Sequence, residues 1–100
     1  MSVVDPTRRR LCLEALCAGY SIRQAARRSG VCHGTLWYWF KILESCAEDM
    51  TTEIPAPIPT GVAVVRALHR AGMTPQEMSD YLDGWTHAGY EMAAEARRAR

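Results

Sequence analysis

The sequence has no apolar run that approaches the roughly 20 residues needed to span a bilayer. The first ten residues also lack the apolar segment that follows the positive charges of a secretory signal. We therefore expect a cytoplasmic protein that has no membrane partner. Disorder is also disfavoured, because apolar residues make up 48% of the chain and charged residues only 23%.

Sequence signatures of catalysis and of metal binding are missing as well. The chain contains no Cys-x-x-Cys or His-x-x-x-His pair and no glycine-rich phosphate loop. Cys32 and His33 are adjacent, but neighbouring residues on a helix point in different directions, which disfavours zinc even with His69 and His87 available. No histidine accompanies a nucleophile and an orienting acid in a recognised arrangement. We expect no enzyme activity, no cofactor and no small-molecule substrate.

The four cysteines all lie in the first half of the chain, at Cys12, Cys17, Cys32 and Cys46. An even number of cysteines in a small secreted chain would suggest disulfides, but no signal segment accompanies them. Free cysteine behaves as a small buried apolar residue. We therefore expect reduced thiols that are mostly packed in a core.

Charge is distributed unevenly along the chain. Residues 1–42 carry seven basic and two acidic residues, a net charge of +5, whereas residues 43–100 carry five basic and nine acidic residues, a net charge of −4. A basic face suits phosphate binding, because neutralising phosphates releases condensed counterions. A solvated charged face is the alternative. Arg8, Arg9 and Arg10 stand in the first turn of a predicted helix, either for a partner or as a solvated segment.

The pattern of caps and apolar residues predicts an all-α fold. Asp5-Pro6 begins the first helix, which ends at Gly19 and buries Leu11, Ala15 and Ala18 on one face, widened by Leu13, Leu16 and Cys17. Ser21 and Gln24 form a capping box for a short second helix that stops at Gly30. Cys32 or Thr35 then opens a third helix. The chain over residues 1–48 thus reads as a tri-helical unit with a glycine-containing turn.

The segment Gly19 to Lys41 resembles the helix-turn-helix of insertion-element transposases and invertase-type recombinases. In that family, the first motif helix has a small residue facing the second motif helix, the turn has a glycine followed by an aliphatic residue, and the second motif helix buries two apolar residues. The matching motif-core residues here are Ala25, Ala26, Gly30, Val31, Leu36 and Trp39. An ordinary helical hairpin without DNA is the alternative interpretation.

The resemblance implies double-stranded DNA as the partner, with the second motif helix in the major groove. The implied base-contacting residues are Cys32, His33, Gly34, Trp37, Tyr38 and Lys41. The implied phosphate-contacting residues are Arg23, Arg27 and Arg28. The family usually has Ser or Thr at the position of Cys32, often Arg at His33 and Tyr38, and an apolar residue at Ser29. The commonest guanine contact is therefore missing.

The sequence predicts further helices in the second half of the chain. They follow a Pro-rich connector over residues 49–60, which we expect to be extended. We expect residues 61–100 to form a second small helical unit. It should contain a helix over residues 61–71, a Thr74–Glu77 capping box, a helix to Leu82, a turn at Asp83-Gly84 and a last helix. The segment Ala67–Glu77 resembles Ala15–Gln24. The similarity indicates either a degenerate repeat or only that both helix starts follow the same capping rules. Several apolar and aromatic residues of this unit could form either a homodimer surface or simply its core. They are Met73, Met78, Tyr81, Leu82, Trp85 and Tyr90.

These features together predict a DNA-binding protein, a small transcriptional regulator of a phage or mobile-element kind. The alternative is a structural, assembly or protein-interaction module, such as a DNA-packaging or transposase accessory subunit. The transposase role lacks its usual coiled coil, because the Pro-rich connector interrupts any heptad pattern.

Overall fold

The protein is all-α in the computed structural model, which describes residues 5–54 and 56–85 and contains no strand within them. Four helices are bounded at both ends, and they are α1 (Pro6–Cys17), α2 (Ile22–Ser29), α3 (His33–Asp49) and α4 (Val62–Arg70). A further helix, α5, covers residues 75–85 up to the end of the described range. The all-α prediction is confirmed. The predicted last helix, His87 and Tyr90 lie outside the described residues.

Local capping chemistry sets the starts of α1 and α2 as the sequence predicted. The Asp5 carboxylate accepts the Thr7 N–H at 2.9 Å, and Pro6 occupies the first helical position of α1. At the start of α2, the Ser21 N–H donates to Gln24 Oε1 at 3.0 Å and the Gln24 N–H donates to Ser21 Oγ at 3.2 Å. This reciprocal pair confirms the first capping box.

The same local structure recurs at the junction of α4 and α5. The Thr74 N–H donates to Glu77 Oε1 at 3.2 Å, and the Glu77 N–H donates to Thr74 Oγ1 at 3.1 Å. Each capping box follows an Ala-Gly helix end whose glycine has positive φ, 101° at Gly19 and 106° at Gly72. This similarity is consistent both with a repeat and with capping rules acting twice.

Buried residues from both halves of the chain form one hydrophobic cluster. Its largest members include Leu13, Leu16, Leu36, Phe40 and Leu43 from α1 and α3, together with Ile54, Val64, Val65, Leu68, Met78 and Leu82 from the second half. Helix α4 contacts both α1 and α3. The second half therefore packs back on the helix-turn-helix region.

The buried face of α1 matches the predicted one in part. Leu13, Ala15 and Leu16 are buried as predicted. Leu11 is 46% exposed and Ala18 is exposed, whereas Cys12, which was not predicted on this face, is fully buried. Because α1 packs against both α2 and α4, its inward side is set by two neighbours whose positions a local apolar pattern does not contain.

Two local predictions in the second half were also wrong. The first part of the connector turns back on itself, since the N–H groups of Glu53 and Ile54 both donate to the Met50 carbonyl, at 2.9 and 3.1 Å. Ile54 is buried, which anchors this turn in the core. Asp83-Gly84 is helical rather than a turn, because α5 continues past the buried Leu82 and holds Asp83 beside Arg9.

Candidate nucleic-acid interface

Helices α2 and α3 are joined by a three-residue turn, Gly30 to Cys32. Gly30 has φ 74° and ψ 17°, the left-handed conformation, and its N–H donates to the Ala26 carbonyl at 2.9 Å. Val31 follows with its side chain buried. The glycine therefore ends α2 by its conformation, and the aliphatic residue fixes the turn to the core.

The residues predicted to fill the motif core lie inside. Ala25, Ala26, Val31, Leu36 and Trp39 are all buried, with Trp39 only 3% exposed. Ser29 stands at the position where an apolar residue is usual, and it too is buried. Its hydroxyl donates to the Ala25 carbonyl at 2.7 Å, so the polar group is satisfied within its own helix.

The residues predicted to contact bases lie outside. Cys32, His33, Gly34, Trp37, Tyr38 and Lys41 are all exposed. Trp37 and Tyr38 remain 51% and 57% exposed although they precede the buried pair Trp39 and Phe40. Of these four consecutive aromatic residues, two therefore face outward and two face the core.

The Trp37 ring is held from one side. It packs edge-to-face on Phe40 with ring centroids 5.4 Å apart, and a Cβ added at Gly61 would meet it at 3.4 Å. Gly61 is the residue before α4, so the start of α4 supports a side chain on the exposed face of α3. The sequence contains no local signal for this contact.

The start of α3 lacks a side-chain cap. Cys32 occupies the capping position without a capping hydrogen bond, and its thiol lies 3.1 Å from the Thr35 hydroxyl. That hydrogen bond lowers the pKa of the Cys32 thiol, whereas burial raises the pKa of the Cys12 and Cys46 thiols. All four cysteines are free, and Cys32 is the exposed one.

The predicted phosphate-contacting side chains are exposed on α2. Arg23, Arg27 and Arg28 each form no ion pair with another described residue. The Arg28 guanidinium lies 4.4 Å from the centroid of the Tyr20 ring, a cation–π contact that orients it. An open concave surface beside α2 is lined by Arg23, Ala26, Arg27, Gly30, Val31, Cys32 and His33. This surface joins the basic side of α2 to the first residues of α3.

Arg9 is not available to a partner. It is 3% exposed, and its Nε donates to Ser79 Oγ at 2.8 Å while Nη2 lies 3.3 Å from Asp83 Oδ1. Arg10 pairs with Glu14 at 3.5 Å on the surface of α1. The sequence alone does not distinguish Arg9 from its neighbours, because the partners of Arg9 on α5 lie 70 and 74 residues further along the chain.

The side chains considered as a dimerisation surface divide between core and exterior. Met78 and Leu82 are fully buried, and Met73 and Tyr81 pack partly buried against the core. Trp85 is 49% exposed. The core interpretation therefore accounts for the inward part of this set.

No helix in the described part of the chain is both long and apolar enough to cross a membrane. Residues 5–54 and 56–85 also contain no group of three or more His, Cys, Asp or Glu side chains placed to hold a metal ion. Comparison with protein-family models, curated proteins and solved structures gives no match to this chain. Function is therefore inferred from the geometry and charge of the chain itself.

Proposed function

We propose that this protein binds double-stranded DNA by placing the first half of α3 in the major groove, as a small transcriptional regulator of a phage or mobile-element kind. One observation carries the proposal. The five side chains expected to fill the motif core are buried, Gly30 has the left-handed conformation, and all nine residues expected to contact DNA are exposed. An ordinary amphipathic hairpin would also expose its arginines, but it would not require two large aromatic residues, Trp37 and Tyr38, to be more than half exposed on α3.

Base contacts fall to a small set of polar side chains on α3. His33, Tyr38 and Lys41 can hydrogen-bond to base edges, and the Trp37 ring can contact a thymine methyl group. Arginine, which forms the commonest bidentate contact to guanine, is absent from the exposed face of α3 between Cys32 and Lys41. We therefore expect weak discrimination between base sequences.

Phosphate contacts fall to α2. Arg23 and Arg27 are spaced four residues apart and thus share one face of the helix, on the rim of the concave surface that leads to His33. Exposed guanidinium groups that form no ion pair with a described carboxylate can form charge-assisted hydrogen bonds to phosphate oxygens. Most of the affinity should then be electrostatic and depend strongly on salt.

The test is a titration of fluorescent DNA duplexes of several sequences at about 50 and 200 mM salt, since each phosphate contact contributes about 0.9 to the slope of log K against log salt. Arg27→Ala should weaken binding to every duplex by a similar factor and reduce the magnitude of this negative slope by about 0.9. Arg70→Ala is the matched control, because Arg70 is an exposed arginine on α4 with the same charge. It should leave the slope unchanged.

Base contacts are tested with His33→Ala and Tyr38→Ala. Each should cost about 1 to 3 kcal/mol on a preferred site, found by selection from random duplexes, and little on other sequences. If the folded wild-type protein binds no duplex even at low salt, the DNA proposal is wrong. The exposed Trp37 and Tyr38 would then favour a protein-interaction module.

A further inference from the structure

Arg8 has different surroundings from the two arginines that follow it. Its side chain is exposed, and its Nη1 lies 3.9 Å from the position that a Cβ at Gly30 would occupy. The guanidinium group of Arg8, which belongs to α1, therefore lies over the turn between α2 and α3. Arg9 is buried against Ser79 and Asp83, and Arg10 pairs with Glu14.

The position of Arg8 extends a positively charged surface. Gly30 also lines the concave surface that contains Arg23, Arg27 and His33. Arg8 therefore approaches this surface at Gly30, one of the residues that line it. We call Arg8, Arg23 and Arg27 the arginine arc.

No ion pair among the described residues offsets the positive charge of Arg8. Helix α1 also has no acidic residue in its first turn. A cation in the first turn of a helix opposes the helix dipole, and it also repels the neighbouring arginines of the arc. Such an arrangement is stabilised when an anion is bound.

We propose that Arg8 is a further phosphate-contacting residue, which extends the interface from α2 and α3 onto α1. The inference rests on the proposed DNA binding and adds a contact that the helix-turn-helix segment Gly19 to Lys41 does not contain. The contact is to phosphate rather than to bases, because Arg8 lies over the turn and not on the exposed face of α3. A guanidinium group can bind two phosphate oxygens at once, so it suits this position.

The experiment compares Arg8→Ala with Arg10→Ala in the same duplex titration. The two variants remove the same charge from the same helix, two residues apart, but Arg10 faces Glu14 instead of the turn. Arg8→Ala should reduce the magnitude of the negative slope of log K against log salt by about 0.9 and weaken binding to all duplexes by a similar factor. Arg10→Ala should change the salt slope and the affinity only by the small amount expected from losing one positive charge anywhere on the protein.

Arg8→Lys is the second variant, which keeps the charge and loses the bidentate geometry. We expect it to restore the salt slope and only part of the affinity. Melting curves should show Arg8→Ala to be as stable as the wild type, which separates a binding role from a folding role.

These titrations distinguish failure of the Arg8 inference from failure of the proposed DNA binding. If Arg27→Ala weakens binding and Arg8→Ala does not, the Arg8 inference is wrong and DNA binding stands. Equal losses in Arg8→Ala and Arg10→Ala would also overturn it, because the effect would then be one of net charge. Absence of duplex binding by the wild type would overturn both.

Discussion

Three consecutive arginines at the start of α1 have three different roles in the structure. Successive residues on a helix are rotated by about 100°, so neighbours in sequence face different parts of the protein. Arg8 lies over the turn at Gly30, Arg9 is buried, and Arg10 lies on the surface beside Glu14. Composition and net charge describe these residues as equal. Their surroundings decide which of them can meet a ligand.

Cys32 gives a prediction at the scale of one residue. It occupies the capping position of α3 without a capping hydrogen bond, and its thiol faces Thr35 instead. Serine caps helices well because its hydroxyl accepts a backbone N–H, so Cys32→Ser should stabilise the fold by about 1 kcal/mol. Urea denaturation measures the gain. Cys32→Ala, which lacks any capping group, is the control, and a gain of the same size there would contradict the capping argument.

The α2–α3 pair shows which features of an element follow from local sequence. Both capping boxes, the end of α2 at Gly30 and the buried motif residues were predicted, because hydrogen bonds within four residues and helical spacing determine them. The exposure of Leu11 and Ala18 on α1 and the helical state of Asp83-Gly84 were not. They depend on contacts with α4 and with Arg9, which no local pattern records.

The turn itself gives a prediction at the scale of the element. Gly30 has φ 74°, and an added Cβ would meet only the end of the Arg8 side chain at 3.9 Å, so any cost of Gly30→Ala comes from the backbone conformation. We expect a loss of about 1 to 2 kcal/mol in the free energy of unfolding. Gly34→Ala is the matched control, because Gly34 is helical and has open space around its Cβ position.

Gly34→Ala should be neutral or stabilise the protein by up to about 1 kcal/mol, since alanine favours helix over glycine. Thermal and urea denaturation of both variants give the comparison. If Gly30→Ala were as stable as Gly34→Ala, the left-handed turn would not be required. The match to the helix-turn-helix pattern would then lose its steric reason.

At the scale of the whole molecule, the helix-turn-helix region and the second half share one core. Helix α4 packs on α1 and α3, and its preceding Gly61 supports Trp37 on the exposed face of α3. The second half therefore helps to shape the surface that we propose for DNA, although its own acidic residues disfavour phosphate. The sequence indicated the acidic character of this half but not its contact with Trp37, because the Pro-rich connector contains no signal for the direction of the chain after it.

Arg9 gives a prediction at this scale, because it joins α1 to α5. Arg9→Ala would remove the partner of the Ser79 side chain, which is only 1% exposed, together with the packing of the arginine stem. A buried hydroxyl without a partner costs about 1 to 3 kcal/mol, so we expect the free energy of unfolding to fall by about 2 to 3 kcal/mol. Urea denaturation, followed by far-UV circular dichroism, measures this loss.

Three control variants identify its origin. Asp83→Ala should cost no more than about 1 kcal/mol, because the Asp83 side chain is 68% exposed and water screens the ion pair. Arg10→Ala should lie within about 0.5 kcal/mol of the wild type, as expected for a surface position. Arg9→Met keeps the apolar stem and should recover part of the loss. If Arg9→Ala and Arg10→Ala were equally stable, the Arg9–Ser79 contact would not hold the two halves of the core together.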